Sequence, residues 1–257
     1  MGSSLVDVGP RLAVVLLLLA TVAAVGGRLS GLHQERPVLV AVVRATIQLA
    51  VVSAVLVPVV GSLVLSAAFV ALMVAVATAT AAGRISGRPV RDPGVRRRLP
   101  AVAVPVAAAA LPVAALVVGS GAVPLRGVAV IPVAGILIGG AMTAASLAGR
   151  RMREELTSRH GEVEAALSLG LPSRDAVLLV ARHSAATALV PPLDQTRTVG
   201  LVTLPGAFVG VLLGGGSPLQ AGAAQLLVLV GLLATDVVAV WIVSELVARG
   251  QLVDVPR

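Results

Sequence analysis

Apolar runs of membrane-crossing length follow one another along almost the whole chain, and this limits what it can fold into. A helix crossing the hydrocarbon of a bilayer needs about 20 mostly apolar residues. Runs of that order recur here without the alternation, in segments of about 10 residues, that marks a transmembrane barrel. With 57% of 257 residues hydrophobic and only 12% charged, no water-soluble core could hide the apolar surface. The fold class is therefore all-α: a polytopic integral membrane protein of about seven transmembrane helices.

The rest of the composition excludes chemistry. All twenty basic residues are Arg, so there is no Lys for a Walker A loop, and any ATP must be bound by another chain. Cysteine is absent, which removes disulfides, thiolate metal sites and cysteine nucleophiles. The net charge of +8 is what Arg-rich cytoplasmic loops give, and it does not imply nucleic acid. With two Phe, one Trp and no Tyr, the aromatic interface belts are thin and Arg must anchor the helix ends.

The runs predict crossings at about 11–27, 38–60, 62–82, 101–118, 127–148, 197–213 and 220–247, all in one transmembrane domain, 1–257. The first run also has the length of a signal-peptide core, although Arg11 is its only basic leader residue. Arg84, Arg88, Arg91, Arg96, Arg97 and Arg98 crowd the loop after the third run, and Arg150, Arg151 and Arg153 follow the fifth. Basic loops two crossings apart both belong in the cytoplasm, so the N-terminus is expected outside and the C-terminus inside.

Residues 150–196 are expected to stay outside the hydrocarbon as a structured cytoplasmic coupling region. Glu164-Ala165-Ala166 followed by Gly170 resembles the EAA loop of ABC-transporter permeases. Small Ala residues let a short helix dock closely, Gly170 suits a left-handed cap, and Ser173 suits the cap of the next helix. In an alanine-rich chain the same letters also fit a solvated amphipathic helix.

A second resemblance is more specific. Val199-Gly200-Leu201-Val202-Thr203-Leu204-Pro205-Gly206, a glycine-rich turn ending Ser217-Pro218-Leu219-Gln220-Ala221, and Gln225 resemble the FetB-type iron export permeases, a family that includes plant aluminium-tolerance permeases. Arg44-Ala45-Thr46-Ile47-Gln48-Leu49, Ile131-Pro132, Gly135, Gly139 and Met142-Thr143 extend the match. The resemblance implies the permease subunit of an ABC transporter in a bacterial inner membrane, exporting iron or another metal. It implies a homodimer with two ATP-binding subunits, which supply ATP and Mg, and no cofactor on this chain. Two departures lie where substrate would pass: Gly140 stands where the family typically has Asn, and Ala207-Phe208-Val209 where it often has Met and Thr.

The candidate translocation path takes in Arg44, Gln48, Thr143, Thr203, Pro205, Gly206, Gln225 and Asp236. Gln48 lies four residues after Arg44 and shares its helix face, while Arg44, about 9 Å in from residue 38, is also able to snorkel. Asp236 falls near the middle of the last run, where a carboxylate must face protein or water; pairing with Arg44 or Gln48 and proton coupling are both open. Pro205 and Gly206 break a membrane run, either to line a path or only to kink it. Thr143, Ser146 and Thr203 line that path or bond their own backbone. Asp194 and Arg197 read as a cap and anchor pair. His33, His160 and His183 fall in predicted cytoplasmic segments, so no histidine metal site is expected in the pore. The alternative function is an ion-coupled secondary transporter or channel built on Asp236; clustered catalytic groups are missing, and an enzyme is not expected.

Overall fold

In the computed structural model, residues 9–31 and 33–253 are described, and nearly all of them are helical. The order is α1 (Pro10–Leu29), α2 (Glu35–Val60), α3 (Leu63–Ser86), α4 (Pro93–Gly119), α5 (Gly127–Ser158), α6 (His160–Ser168), α7 (Ser173–Ala186), a 3-10 turn (Thr187–Leu189), α8 (Val190–Thr198), α9 (Gly206–Leu213) and α10 (Pro218–Ala248). In hydrocarbon each backbone N–H and C=O must be satisfied within the protein, and long helices do this. Helix starts follow local chemistry. Asp92 caps α4 by accepting from Gly94 N at 2.8 Å ahead of Pro93, and Ser217 forms a reciprocal capping box with Gln220 ahead of Pro218.

The chain divides into two compact units after Pro58. In the first, α1 buries none of its residues, and the apolar side chains of α1 and α2 are largely exposed, as lipid-facing helices require.

In the second unit α5 is central and packs on α3, α4, α7 and α10. Its contact positions are small: Ala141, Ala145 and Ala148 are fully buried, as are Ala81 of α3 and Ala110 of α4. Lipid tails are as apolar as Leu, so helices associate through close van der Waals contact, which small residues permit. Gly149 lies against Ile85, whose Cγ1 stands 2.8 Å from where a Cβ would be. Gly127 lies against the backbone oxygen of Val60, 2.7 Å from that point.

Among the described residues, seven helices are long and apolar enough to cross a membrane, and the sixth of these runs Ser173–Thr198, through α7, the 3-10 turn and α8. Residues 197–213 are not one helix. Gly200 adopts φ +83, its N–H donates to Thr203 O at 2.9 Å, and Pro205 precedes an eight-residue α9. At 1.5 Å per residue α9 is about 12 Å long, well short of a hydrocarbon core of about 30 Å. Proline removes a donor and biases the residue before it away from helix, which explains the break. Two caps also differ from expectation. Ser173 is the first residue of α7 and makes no capping bond, and Asp194 sits inside α8 rather than at its start, 3.4 Å from Arg197 with both exposed.

Gly127→Ala is expected to destabilise the bundle by about 1–3 kcal/mol through overpacking. Gly161→Ala, in the open on α6, should stabilise by up to about 1 kcal/mol. Thermal unfolding in detergent measures both.

Candidate functional site

Three helices of the second unit border an open cavity of about 300 Å³. α5 contributes Gly139, Gly140 and Thr143, α8 contributes Pro191, Pro192 and Gln195, and α10 contributes Asp236. Asp236 is 4% exposed, and its Oδ1 has no hydrogen-bond partner among the described residues. Gly140 is what lets α10 come this close: a Cβ there would stand 2.8 Å from Asp236 Oδ1 and would strike the Leu232 side chain. The glycine at this family departure is therefore a packing requirement of Asp236.

The two prolines that open α8 remove two backbone donors. Ala188 lines the cavity, and the residues three and four positions on, whose N–H groups would bond its carbonyl in a helix, are Pro191 and Pro192. Thr143 and Gln195 line the same space, and both are exposed. Gln195 escaped the sequence reading, although the Pro-Pro step was a visible signal.

The other expected path residues lie elsewhere. Ser146 Oγ donates to Met142 O at 2.5 Å, within its own helix. Gln225 is buried, and its Oε1 accepts from Phe208 N at 3.2 Å, tying the first turn of α9 to α10. Thr203 and Gly206 are exposed and Pro205 is half-buried in the turn that leads into α9. Arg44 and Gln48 border one apolar furrow on α2, with Val40 and Ile47, so they do share a face. Among the described residues, no three His, Asp or Glu are grouped to hold a metal ion.

The Glu164 motif forms α6, between two helices of membrane-crossing length. Val163 and Ala166 are buried, whereas Glu164, Ala165 and Leu169 are exposed, Leu169 by 82%. α6 ends in a Schellman motif: Gly170, at φ +86, donates to Leu167 O at 2.9 Å and Leu171 donates to Ala166 O at 3.1 Å. His160 Nδ1 stands 3.5 Å from Glu164 Oε1. Arg159 Nε donates to Glu162 Oε1 at 2.6 Å, and its guanidinium holds the Glu162 carboxyl below the usual carboxylate range.

Ion pairs fix this region to the long helices. Arg159 Nη1 donates to Glu155 Oε1 of α5 at 3.1 Å, and Ser184 of α7 donates to Glu155 Oε2 at 2.8 Å. Arg174, in the first turn of α7, grips Glu245 of α10 bidentately at 2.9 and 2.5 Å. No local pattern in the chain announced this pair, whose members are 71 residues apart.

Several curated proteins are similar to parts of the chain. "UPF0014 membrane protein STAR2" of Oryza sativa subsp. japonica is 43% identical over 100 residues, 39% of this chain and 35% of that protein. "Protein ALUMINUM SENSITIVE 3" of Arabidopsis thaliana is 40% identical over 99 residues, 38% of this chain and 36% of that one. "Probable iron export permease protein FetB" of Escherichia coli (strain K12) is 35% identical over 116 residues, 45% of each chain. The matched stretches thus span less than half the length of these relatives. No solved structure matches the chain. The model of the family described as "Uncharacterised protein family (UPF0014)" matches residues 10–251, and this multi-pass membrane protein belongs to that family.

Proposed function

We propose that the chain is the permease subunit of an ABC transporter, working as a homodimer with two separate ATP-binding subunits that hydrolyse Mg-ATP. The observation that carries this reading is α6. It is a short helix between two long apolar ones, with Glu164 and Ala165 presented outward and Val163 and Ala166 fastened to the bundle. An exposed small-residue face with Leu169 beside it suits a shallow cleft on a partner protein. The name of the E. coli relative supports iron export as the cargo and direction, and a bacterial inner membrane is the place this reading assigns.

The mechanism follows from what α6 is attached to. Closure of the ATP-binding subunits would displace α6, and each wall of the cavity is joined to it. α5 runs unbroken from Gly139 and Thr143 to Ser158 beside α6. α7 leads through the 3-10 turn into α8, and Arg174 passes force to α10 through Glu245. Rigid helices and a bidentate ion pair thus convert one push into a change of cavity shape. A second reading, an ion-coupled transporter working without ATP, draws on the unpartnered Asp236 carboxylate; transport in sealed vesicles driven by a proton gradient without ATP would favour it.

Glu164→Arg and Gly170→Val should each lower capture of the ATP-binding-cassette subunit from the same genome, and its stimulated hydrolysis, by about tenfold, as loss of roughly 1.4 kcal/mol does. Unchanged association and hydrolysis in both variants would sink the assignment of α6.

Arg174→Ala and Glu245→Ala should each leave the ATPase docked but cut transport per ATP hydrolysed in proteoliposomes. The double variant should lose no more than the worse single, because both remove one link. Additive losses would show that the pair carries no coupling.

A further inference from the structure

Asp236 is a buried carboxylate, and its unpartnered Oδ1 presents an electrostatic problem in an apolar bundle. Burying a charge is costly unless something pairs with it. The groups that share its cavity narrow what that something is. Thr143 and Gln195 offer oxygen, with no thiol, thioether or imidazole among the residues that line the space. Oxygen sets of carboxylate, carbonyl and water suit hard cations such as Mg, Ca and Mn, whereas soft metals seek sulfur and nitrogen.

We propose that this cavity binds a hard metal cation that keeps part of its water shell, with Asp236 as the one charged ligand and Thr143 and Gln195 as neutral ones. The proposal rests on the chain being a transporter and names the cargo site within it. Size agrees, because about 300 Å³ is far more than the roughly 10–15 Å³ that one water requires. A six-coordinate ion with its shell fits, and three protein side chains cannot strip it bare. Charge agrees as well. One carboxylate leaves a divalent ion only half neutralised, which makes a weak site, and a conducted ion must be able to leave. Each of the three walls contributes a ligand, so the site is complete only while α5, α8 and α10 keep their present spacing. Gly140 sets that spacing from the α5 side.

The test is Mn2+ binding to the full-length purified chain, followed by electron paramagnetic resonance, with Mg2+ and methylammonium as competitors. Wild-type protein should hold one Mn2+ per chain, displaced by Mg2+ and not by methylammonium. Asp236→Asn should weaken binding by about tenfold or more, and Thr143→Val and Gln195→Leu by severalfold. Asp236→Asn should unfold no earlier than wild type, because it removes an unpaired charge without changing shape. Since Thr143 and Gln195 are exposed, their variants test the site even if Asp236→Asn misfolds. Undiminished Mn2+ affinity in these variants overturns the proposal, and so does displacement by methylammonium as readily as by Mg2+. Capture of the ATP-binding subunit is scored on the same proteins. Lost Mn2+ binding with intact capture supports the site, whereas intact Mn2+ binding in protein that never captures an ATPase refutes the ABC reading and spares the site.

Discussion

Close contact between α5 and the long helices around it is the condition on which the second unit depends. In water a wide apolar stripe would drive such an association, but in lipid an apolar surface gains little by leaving the acyl chains. What remains is dispersion, which falls steeply with a gap of even 0.5–1 Å. Ala141, Ala145 and Ala148 leave α5 nearly smooth, and each is fully buried. Gly149 admits Ile85, and Gly140 admits Leu232 and Asp236. The glycine and alanine content of the chain is thus a packing requirement, and it brings a carboxylate to rest against a helix backbone.

The sixth long helix and the segment after it show the opposite tactic. α7, the 3-10 turn, α8, the Gly200 turn and α9 carry the chain from Ser173 to Leu213 in pieces, of which Ser173–Thr198 is long and apolar enough to cross a membrane, and breaks in a helix leave backbone groups that lipid cannot satisfy. Gln225 accepts from Phe208 N at the start of α9. The capping box of Ser217 and Gln220 serves the start of α10. Ala188, whose carbonyl meets two prolines in sequence, lines the same cavity as Gln195 and Asp236. Irregular backbone at this depth is tolerated where it lines such a space.

Much of the fold was legible in the chain because length and polarity set it. The long apolar runs, the Gly170 cap and the exposed-and-buried split of α6 each follow from local sequence. The segment 197–213 misled because hydropathy registers Leu201, Val202 and Leu204 as apolar without registering that Gly200 and Pro205 cannot continue a helix there. The converse error hid α7 and α8, where Arg174, Arg182 and His183 make a membrane-length helix look soluble. Residues 150–196, expected to stay outside the hydrocarbon, thus include most of a helix, Ser173–Thr198, that is long and apolar enough to cross a membrane, and Pro191, Pro192 and Gln195 border the same cavity as Gly139 and Asp236. Motif letters shared with the family proved to be partly punctuation, since Ser217 and Gln220 cap a helix and the Val199–Gly206 run is a turn. The grip of Arg174 on Glu245 and the meeting of Asp236 with Gly140 depend on tertiary packing, which no spacing rule encodes.

Asp236 and Glu245 lie on one face-to-end stretch of α10 and show how burial divides the roles of like residues. Glu245 is 18% exposed by its side chain and has two arginines within 4 Å, Arg174 and Arg249, so its charge is compensated and its task is attachment. Asp236 lies nine residues earlier, about 13.5 Å along the axis at 1.5 Å per residue, with no donor to Oδ1. A rigid helix moved at Glu245 must move Asp236 with it. If displacement of α6 pulls α10 through Arg174 as proposed, the cavity loses the spacing that Gly140 allows at the same moment as Asp236 shifts. A cation held in the proposed way would then need no separate gate for release, because the ligand set itself comes apart.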